Sequence, residues 1–329
     1  MSRRLFWVMM AIVAGVTACE PLAPEPNSQA VVIITNTPTE GPTTTLSPTP
    51  LLASRTPEPT LTPTIASSPT PTVQPCNEDG GQVIDSVFQS EIAGRLIDYR
   101  MVQPPCFYTS GRRYPYVILL HGSGFDYTEW TDGVGIHETL DAALQDPTSG
   151  IGPMVLIMPN GGEFSELNQF NEGRSYEDII LNELIPEVER DFCLWNEPDG
   201  RAIGGISRGG FWAFSIALRW PEMFRSVGGH SAYFVDDNAP PSRNPLALVG
   251  NLQWNTPLRI YLDHAQNDAG GPNIIRFADV LRSNNVQFTY EISATGGHNN
   301  EYWASKAEDY LRFYGAVWPK FVEELPTCY

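Results

Sequence analysis

Three side chains in this sequence have the types and order needed for nucleophilic acyl transfer: a serine between glycines, a later aspartate, and a histidine later still. The serine is Ser207, within Gly204-Gly205-Ile206-Ser207-Arg208-Gly209-Gly210. An apolar entry, Arg201-Ala202-Ile203, precedes it, and a helix-like run over 211–218 follows. Glycines beside a serine permit a strand-to-helix corner too tight for a Cβ, and that corner lifts the hydroxyl above the sheet edge. A serine hydroxyl is a weak nucleophile by itself. It needs a base to take its proton, a carboxylate to fix the tautomer of the base, and N–H donors to meet the oxyanion that develops.

His298 is the candidate base. It sits in Thr295-Gly296-Gly297-His298-Asn299-Asn300, after the last expected strand and before a helix. Of the five histidines, His121 belongs to another motif, His137 falls on an expected helix, and His230 ends an earlier strand. Only His298 has the late position that the order Ser, acid, His requires. The acid should follow the strand expected over 258–262, where Asp263 and Asp268 compete. Asp263 abuts the strand, as a cap or turn residue would. Asp268 is favoured, because the intervening His264-Ala265-Gln266-Asn267 gives the chain length to curl toward His298. The expected oxyanion donors are the N–H of Arg208, next after the nucleophile, and one from His121-Gly122-Ser123-Gly124. In that loop Ser123 is the preferred donor and Gly122 the alternative.

These side chains need a scaffold that brings strand ends together. Tyr116-Val117-Ile118-Leu119-Leu120 and Met154-Val155-Leu156-Ile157-Met158 are continuous apolar runs, as expected of strands buried on both faces. Further strands are expected over 201–206, 226–229, 258–262 and 287–292, with an opening hairpin of 83–90 and 95–103 around Ala93-Gly94. Helix-face spacing appears between them, in Ile179, Ile180, Leu184, Ile185 and Val188, and again in Ile274, Ile275, Ala278 and Leu281. Alternating strands and helices give an α/β fold with a mainly parallel central sheet and helices on both faces, here opened by an antiparallel strand pair. Ligands bind such sheets beyond the carboxyl ends of the strands, where each motif above falls.

The ends of the chain speak of location. Arg3 and Arg4 followed by an apolar core over 5–16 read as an export signal, and Val16-Thr17-Ala18-Cys19 reads as a lipobox whose Cys19 becomes the lipidated N-terminus. Residues 1–19 are thus expected to be a lipoprotein signal peptide. Residues 20–75, rich in Thr, Pro and Ser, should form a disordered stalk, in which the apolar island Val31-Val32-Ile33-Ile34 is incidental. Residues 76–329 should be one large catalytic domain on the outer side of a bacterial membrane, held by its lipid alone. A net charge of −18 argues against nucleic acid and anionic membrane surfaces as partners. It leaves open a small or polysaccharide-linked ester. Four further cysteines in an exported domain suggest two disulfides. The antiparallel hairpin brings Cys76 near Cys106, which leaves Cys193 for Cys328.

With these residues in hand the chain resembles the esterase D, or feruloyl esterase-like, branch of the α/β-hydrolases. The resemblance spans about residues 83–314. It is carried by Arg113-Tyr114-Pro115, Leu119-Leu120-His121-Gly122, Met158-Pro159-Asn160-Gly161, Glu183-Leu184-Ile185-Pro186, the serine elbow, the segment 262–268, and Gly296-Gly297-His298 with Trp303. It implies the α/β-hydrolase fold, hydrolysis of carboxylic esters through an acyl-enzyme, and the acid at the position of Asp268. Asn160 stands where many relatives have Asp, and Arg208 where many have Met, which would alter the charge beside the nucleophile. No metal or organic cofactor is expected, since there is no helix-borne histidine pair and the cysteines suit disulfides. Tyr233, Phe234 and Trp254 lie in an irregular segment that reads either as a substrate rim or as ordinary loop packing. Acyl transfer to a sugar or lipid alcohol, and a non-catalytic binding module on the same scaffold, are the alternative functions.

Overall fold

The computed structural model describes residues 77–166, 170–234, 239–251 and 257–328, together with the backbone of Val32–Thr35. Cys19, Cys76 and Trp254 therefore lie outside the described residues, as do the segment expected to be an export signal and nearly all of the expected stalk.

Nine strands form one sheet: β1 (Val32–Thr35), β2 (Gln82–Ser90), β3 (Arg95–Gln103), β4 (Tyr116–Leu120), β5 (Val155–Pro159), β6 (Arg201–Ile206), β7 (Ser226–His230), β8 (Arg259–Ala265) and β9 (Thr289–Ser293). Their spatial order is β1-β9-β8-β7-β6-β4-β5-β3-β2. The six central strands from β5 to β9 run parallel, while β3 on β5, β2 on β3 and β1 on β9 are antiparallel. β4, β5 and β7 are buried along their whole length, which explains why the first two are apolar without alternation. β1 corrects one expectation. The apolar island in the stalk is not incidental; its β-branched residues pair with the exposed edge of β9, in the register Val32↔Ile292 to Thr35↔Thr289.

Helices cover both faces. They are α1 (Ile136–Gln145), α2 (Gly162–Glu166), α3 (Tyr176–Ile179), α4 (Ile185–Asp191), α5 (Arg208–Arg219), α6 (Pro245–Leu248), α7 (Gly271–Ser283) and α8 (Asn300–Gly315). α5 and α7 pack on one face, where Phe211, Trp212, Phe214, Ile274 and Phe277 are fully buried. On the other face, Leu140 of α1 meets Ala307, Tyr310 and Leu311 of α8. The apolar positions Ile274, Ala278 and Leu281 expected to face the core do so, whereas Ile275 is exposed. α5 is buried from residue 208 to 218, so it is a core helix rather than an amphipathic surface one.

Connectivity places the site. From β4 the chain goes to β5 on one side and then to β6 on the other, so the loops after β4 and β6 diverge around a crevice. Ser207 and the 121–124 loop stand at that switch point. At the opposite end of the sheet the C-terminus is tied down. Cys193 and Cys328 form a disulfide with Cα atoms 5.9 Å apart, closing a loop of 135 residues. In the chain-entropy account such a loop is worth about 5 kcal/mol. Backbone bonds from Arg113 N–H to Pro326 O (2.8 Å) and from Cys328 N–H to Gly111 O (2.9 Å) reinforce it. Cys106 is also disulfide-bonded.

Candidate active site

The elbow follows from the strand it ends. Ser207 has φ 50° and ψ −113°, a strained conformation for a residue with a Cβ. Two glycines make the corner possible. A Cβ on Gly205 would lie 2.3 Å from the Gly209 carbonyl carbon, and one on Gly209 would lie 2.2 Å from Leu120 O. The backbone is held on both sides, by Ser207 N–H to His230 O (3.0 Å) and Tyr233 N–H to Ser207 O (2.9 Å).

Three distant segments converge on the serine hydroxyl. His298 Nε2 lies 2.9 Å from Ser207 Oγ, and His298 Nδ1 lies 3.0 and 3.2 Å from the two Asp268 oxygens. An ionised carboxylate only accepts, so Nδ1 carries the proton and Nε2 is left to accept from the serine. The Trp303 ring stands edge-on to the imidazole at 5.3 Å, and Asn299 caps α8 by accepting from Tyr302 N–H at 2.9 Å. Burial alone would push the Asp268 carboxyl upward. Hydrogen bonds from His298, Ser231 and the Gly270 N–H more than offset this, and the group is held below the ordinary carboxylate value. Ser231 Oγ in turn accepts from Trp303 Nε1 at 3.0 Å, which joins acid, base and indole in one unit.

Asp263, the rival acid, is occupied elsewhere. It is fully buried, accepts from Tyr302 OH (2.7 Å) and Tyr310 OH (2.9 Å), and pairs with His230 Nδ1 at 2.9 Å. His230 Nε2 meets Tyr314 OH at 2.9 Å. Burial, with Asp263 as the next cause, raises the pKa values of these three tyrosines, so they remain neutral donors. This network braces the start of α8 from below.

The 121–124 loop is fixed by side chains on three sides. His121 Nδ1 meets Gly122 O at 2.8 Å, while its Nε2 lies 2.9 Å from the Gly161 nitrogen and accepts that N–H. Burial lowers the His121 pKa and so favours this neutral form. Glu166 accepts from Ser123 Oγ (2.5 Å) and Gly124 N–H (2.8 Å). Glu129, in the helical turn Glu129–Gly133, accepts the Gly122 N–H at 2.6 Å. Gly122 is thereby corrected as an oxyanion donor, because its N–H is already engaged. A trans peptide directs the Ser123 N–H opposite to the Gly122 carbonyl that His121 holds. Among the described residues none accepts from the Ser123 N–H. The second donor position, Arg208 N–H, opens α5 beside the nucleophile. The Arg208 side chain does not add charge to the cleft as expected. Its Nε donates to Ser165 O at 3.0 Å and the guanidinium lies 4.3 Å from the Phe211 ring, under the site.

A cleft of about 450 Å³ opens above Ser207. Gly122, Ser123 and Phe125 form one wall, and His298, Asn299, Asn300, Glu301 and Trp303 the other. Phe125 is half exposed, an aromatic rim that the sequence did not single out. Of the expected rim residues, Tyr233 is exposed next to the nucleophile turn. Phe234 is a correction: it is fully buried, stacked on Phe277 at 3.9 Å and set edge-on to Phe214 at 5.1 Å. Glu129, Glu166 and Ser231 were also missed, since each acts through a loop contact that no periodicity encodes. Among the described residues, no cluster of three metal-ligating side chains is assembled.

The sheet order and the serine elbow at its switch point define a protein of the α/β-hydrolase fold. More particularly, the pattern of the putative esterase family matches residues 90–326, and the chain belongs to that family. An esterase of Mycobacterium tuberculosis strain H37Rv is 34% identical over 149 residues, 44% of this chain and 31% of that protein. An endo-1,4-beta-xylanase/feruloyl esterase of Xylanibacter ruminicola is 28% identical over 183 residues, 52% of this chain and 24% of its own length. The chain thus spans a third or less of these relatives. Among solved structures, a ferulic acid esterase superposes with TM-score 0.65 at 21% identity, covering 73% of this chain and 99% of that one. An S-formylglutathione hydrolase from Agrobacterium tumefaciens superposes with TM-score 0.62 at 15% identity, covering 74% and 98%. Both share the fold.

Proposed function

We propose that this protein is a serine esterase that works through an acyl-enzyme on Ser207. The observation that carries the reading is the unbroken relay Ser207 Oγ–His298 Nε2 (2.9 Å) and His298 Nδ1–Asp268 Oδ1 (3.0 Å) at the base of an open cleft. His298 takes the hydroxyl proton as Ser207 attacks the ester carbonyl. Asp268 stabilises the imidazolium that forms, and the N–H groups of Ser123 and Arg208 receive the oxyanion. His298 then passes its proton to the departing alkoxide. Water, deprotonated by the same imidazole, releases the acid and restores the serine. Family membership supports ester hydrolysis as the reaction.

The substrate class follows from the walls. Phe125 offers aromatic surface, while Asn299 and Asn300 offer amide groups to hydroxyls. An aromatic or sugar-linked ester suits that mixture. The resemblance to a ferulic acid esterase and to a xylanase/feruloyl esterase points the same way. Export and a lipid anchor at Cys19 complete the reading, supported by the charged start, the apolar core and the small residue before the cysteine. No helix among the described residues is long and apolar enough to cross a membrane.

The test is Ser207→Ala. Hydrolysis of a p-nitrophenyl ester should fall by about 10⁴-fold or more, with the melting temperature unchanged. Retained turnover would refute the assignment. For the anchor, Cys19→Ser should abolish incorporation of labelled fatty acid into the expressed full chain.

A further inference from the structure

The three side chains that hold the oxyanion loop differ in how well their own needs are met. Both ring nitrogens of His121 are partnered, and both oxygens of Glu166 accept hydrogen bonds. Glu129 is different. It is 3% exposed, and while its Oε2 accepts the Gly122 N–H at 2.6 Å, its Oε1 is buried with no donor. The space where a Gly122 Cβ would sit is 3.5 Å from each carboxyl oxygen and 3.6 Å from Ile206 Cγ2. The charged groups acting on it are His298, which favours the carboxylate, and Asp126, which opposes it. Burial dominates both and pushes the carboxyl up to about 7.

An uncharged side chain could accept one amide proton without this penalty. A buried acid in that role makes sense where the charge itself is used. We propose that Glu129 is a positioning residue for acylation, whose carboxylate fixes the His121–Gly122 peptide and so orients the next one, letting the Ser123 N–H meet the oxyanion. The proposal rests on the esterase reading above. Two consequences of the charge act in the same direction. A charged acceptor binds an N–H about twice as strongly as a neutral one, so it holds the loop more firmly. It also favours the imidazolium that His298 becomes in the transition state.

Glu129→Gln separates this role from a structural one, because it keeps the size and an acceptor but removes the buried charge. On p-nitrophenyl acetate at about pH 8, kcat should fall by about tenfold with KM within about twofold. The melting temperature should rise, not drop. The difference in kcat should shrink below about pH 6, where the wild-type carboxyl is itself protonated. Unchanged kcat at the higher pH, or parallel pH profiles for the two proteins, would overturn the proposal, as would a loss of activity that merely tracks a loss of stability. A wild-type protein that hydrolyses no ester would instead overturn the esterase reading, and this inference with it. Glu129→Asp, which restores a charge but shortens the reach, should recover the pH dependence without the full rate.

Discussion

Two aspartate–histidine pairs lie near the carboxyl ends of β7, β8 and β9, and their local chemistry is almost identical. Asp268 meets His298 Nδ1 at 3.0 Å, and Asp263 meets His230 Nδ1 at 2.9 Å. In each pair the far nitrogen finds a hydroxyl at 2.9 Å. The difference lies in that hydroxyl and in access. His298 is one-third exposed and faces Ser207 on a strained turn, whereas His230 is sealed and faces Tyr314 in the core. A carboxylate–imidazole pair is therefore no signature of catalysis by itself. What it is aimed at, and whether a substrate can arrive, decide its use.

The two pairs part most sharply at the cleft. Asp268→Asn presents an amide to His298, favours the wrong tautomer and should lower kcat by about 10⁴-fold while the fold survives. Steady-state kinetics beside a melting curve would show it; a loss smaller than tenfold would mean that another group orients His298. The same substitution in the core should have the opposite character. Asp263→Asn removes the charge and turns one acceptor oxygen into an NH2 donor, so that either His230 or the two tyrosines lose their acceptor, and should cost about 3–5 kcal/mol of stability with kcat of the folded protein within about tenfold. Urea unfolding measures the first quantity, and a reversal of the two phenotypes would exchange the residues' roles.

A finer contrast comes from acidity. Asp268 is held below its ordinary value, so its share of stability is present at neutral pH and is lost as pH falls through the folded value. Glu129 runs the other way. With a folded value of about 7 against 4.5, it binds its proton more tightly in the native state. The native state therefore loses about 3 kcal/mol, relative to the unfolded chain, as pH climbs through that interval. Unfolding free energies of wild type and Glu129→Gln should converge near pH 4 and separate toward pH 8, with the variant the more stable; curves that stay parallel would mean that Glu129 is not buried as a charge.

Much of this was legible in the residues. Continuous apolar runs marked β4 and β5 because both their faces are covered, and the order serine, acid, histidine singled out Ser207, Asp268 and His298. Choosing Asp268 over Asp263 needed only the physical point that a residue abutting a strand is poised to cap it, while one a few residues on has the length to curl toward a partner. What escaped was set by direction, not by type. Phe234 and Tyr233 are adjacent aromatics in one loop, yet one fills the core and the other faces solvent. By sequence Ser123 is the preferred donor and Gly122 the alternative, and only the structure shows that Glu129 claims the Gly122 N–H. Val32–Thr35 looked incidental because its partner strand lies more than 250 residues away.

The strand directions have one more consequence. Gln82 pairs with Gln103, and Val102 with Leu156, so β2 begins at the amino ends of the parallel strands, where Cys328 is also fastened. Ser207 and its companions stand at the other end. The chain at residue 328 therefore lies on the side away from the cleft, whereas β1 begins with Val32 opposite Ile292, at the cleft's own end of the sheet.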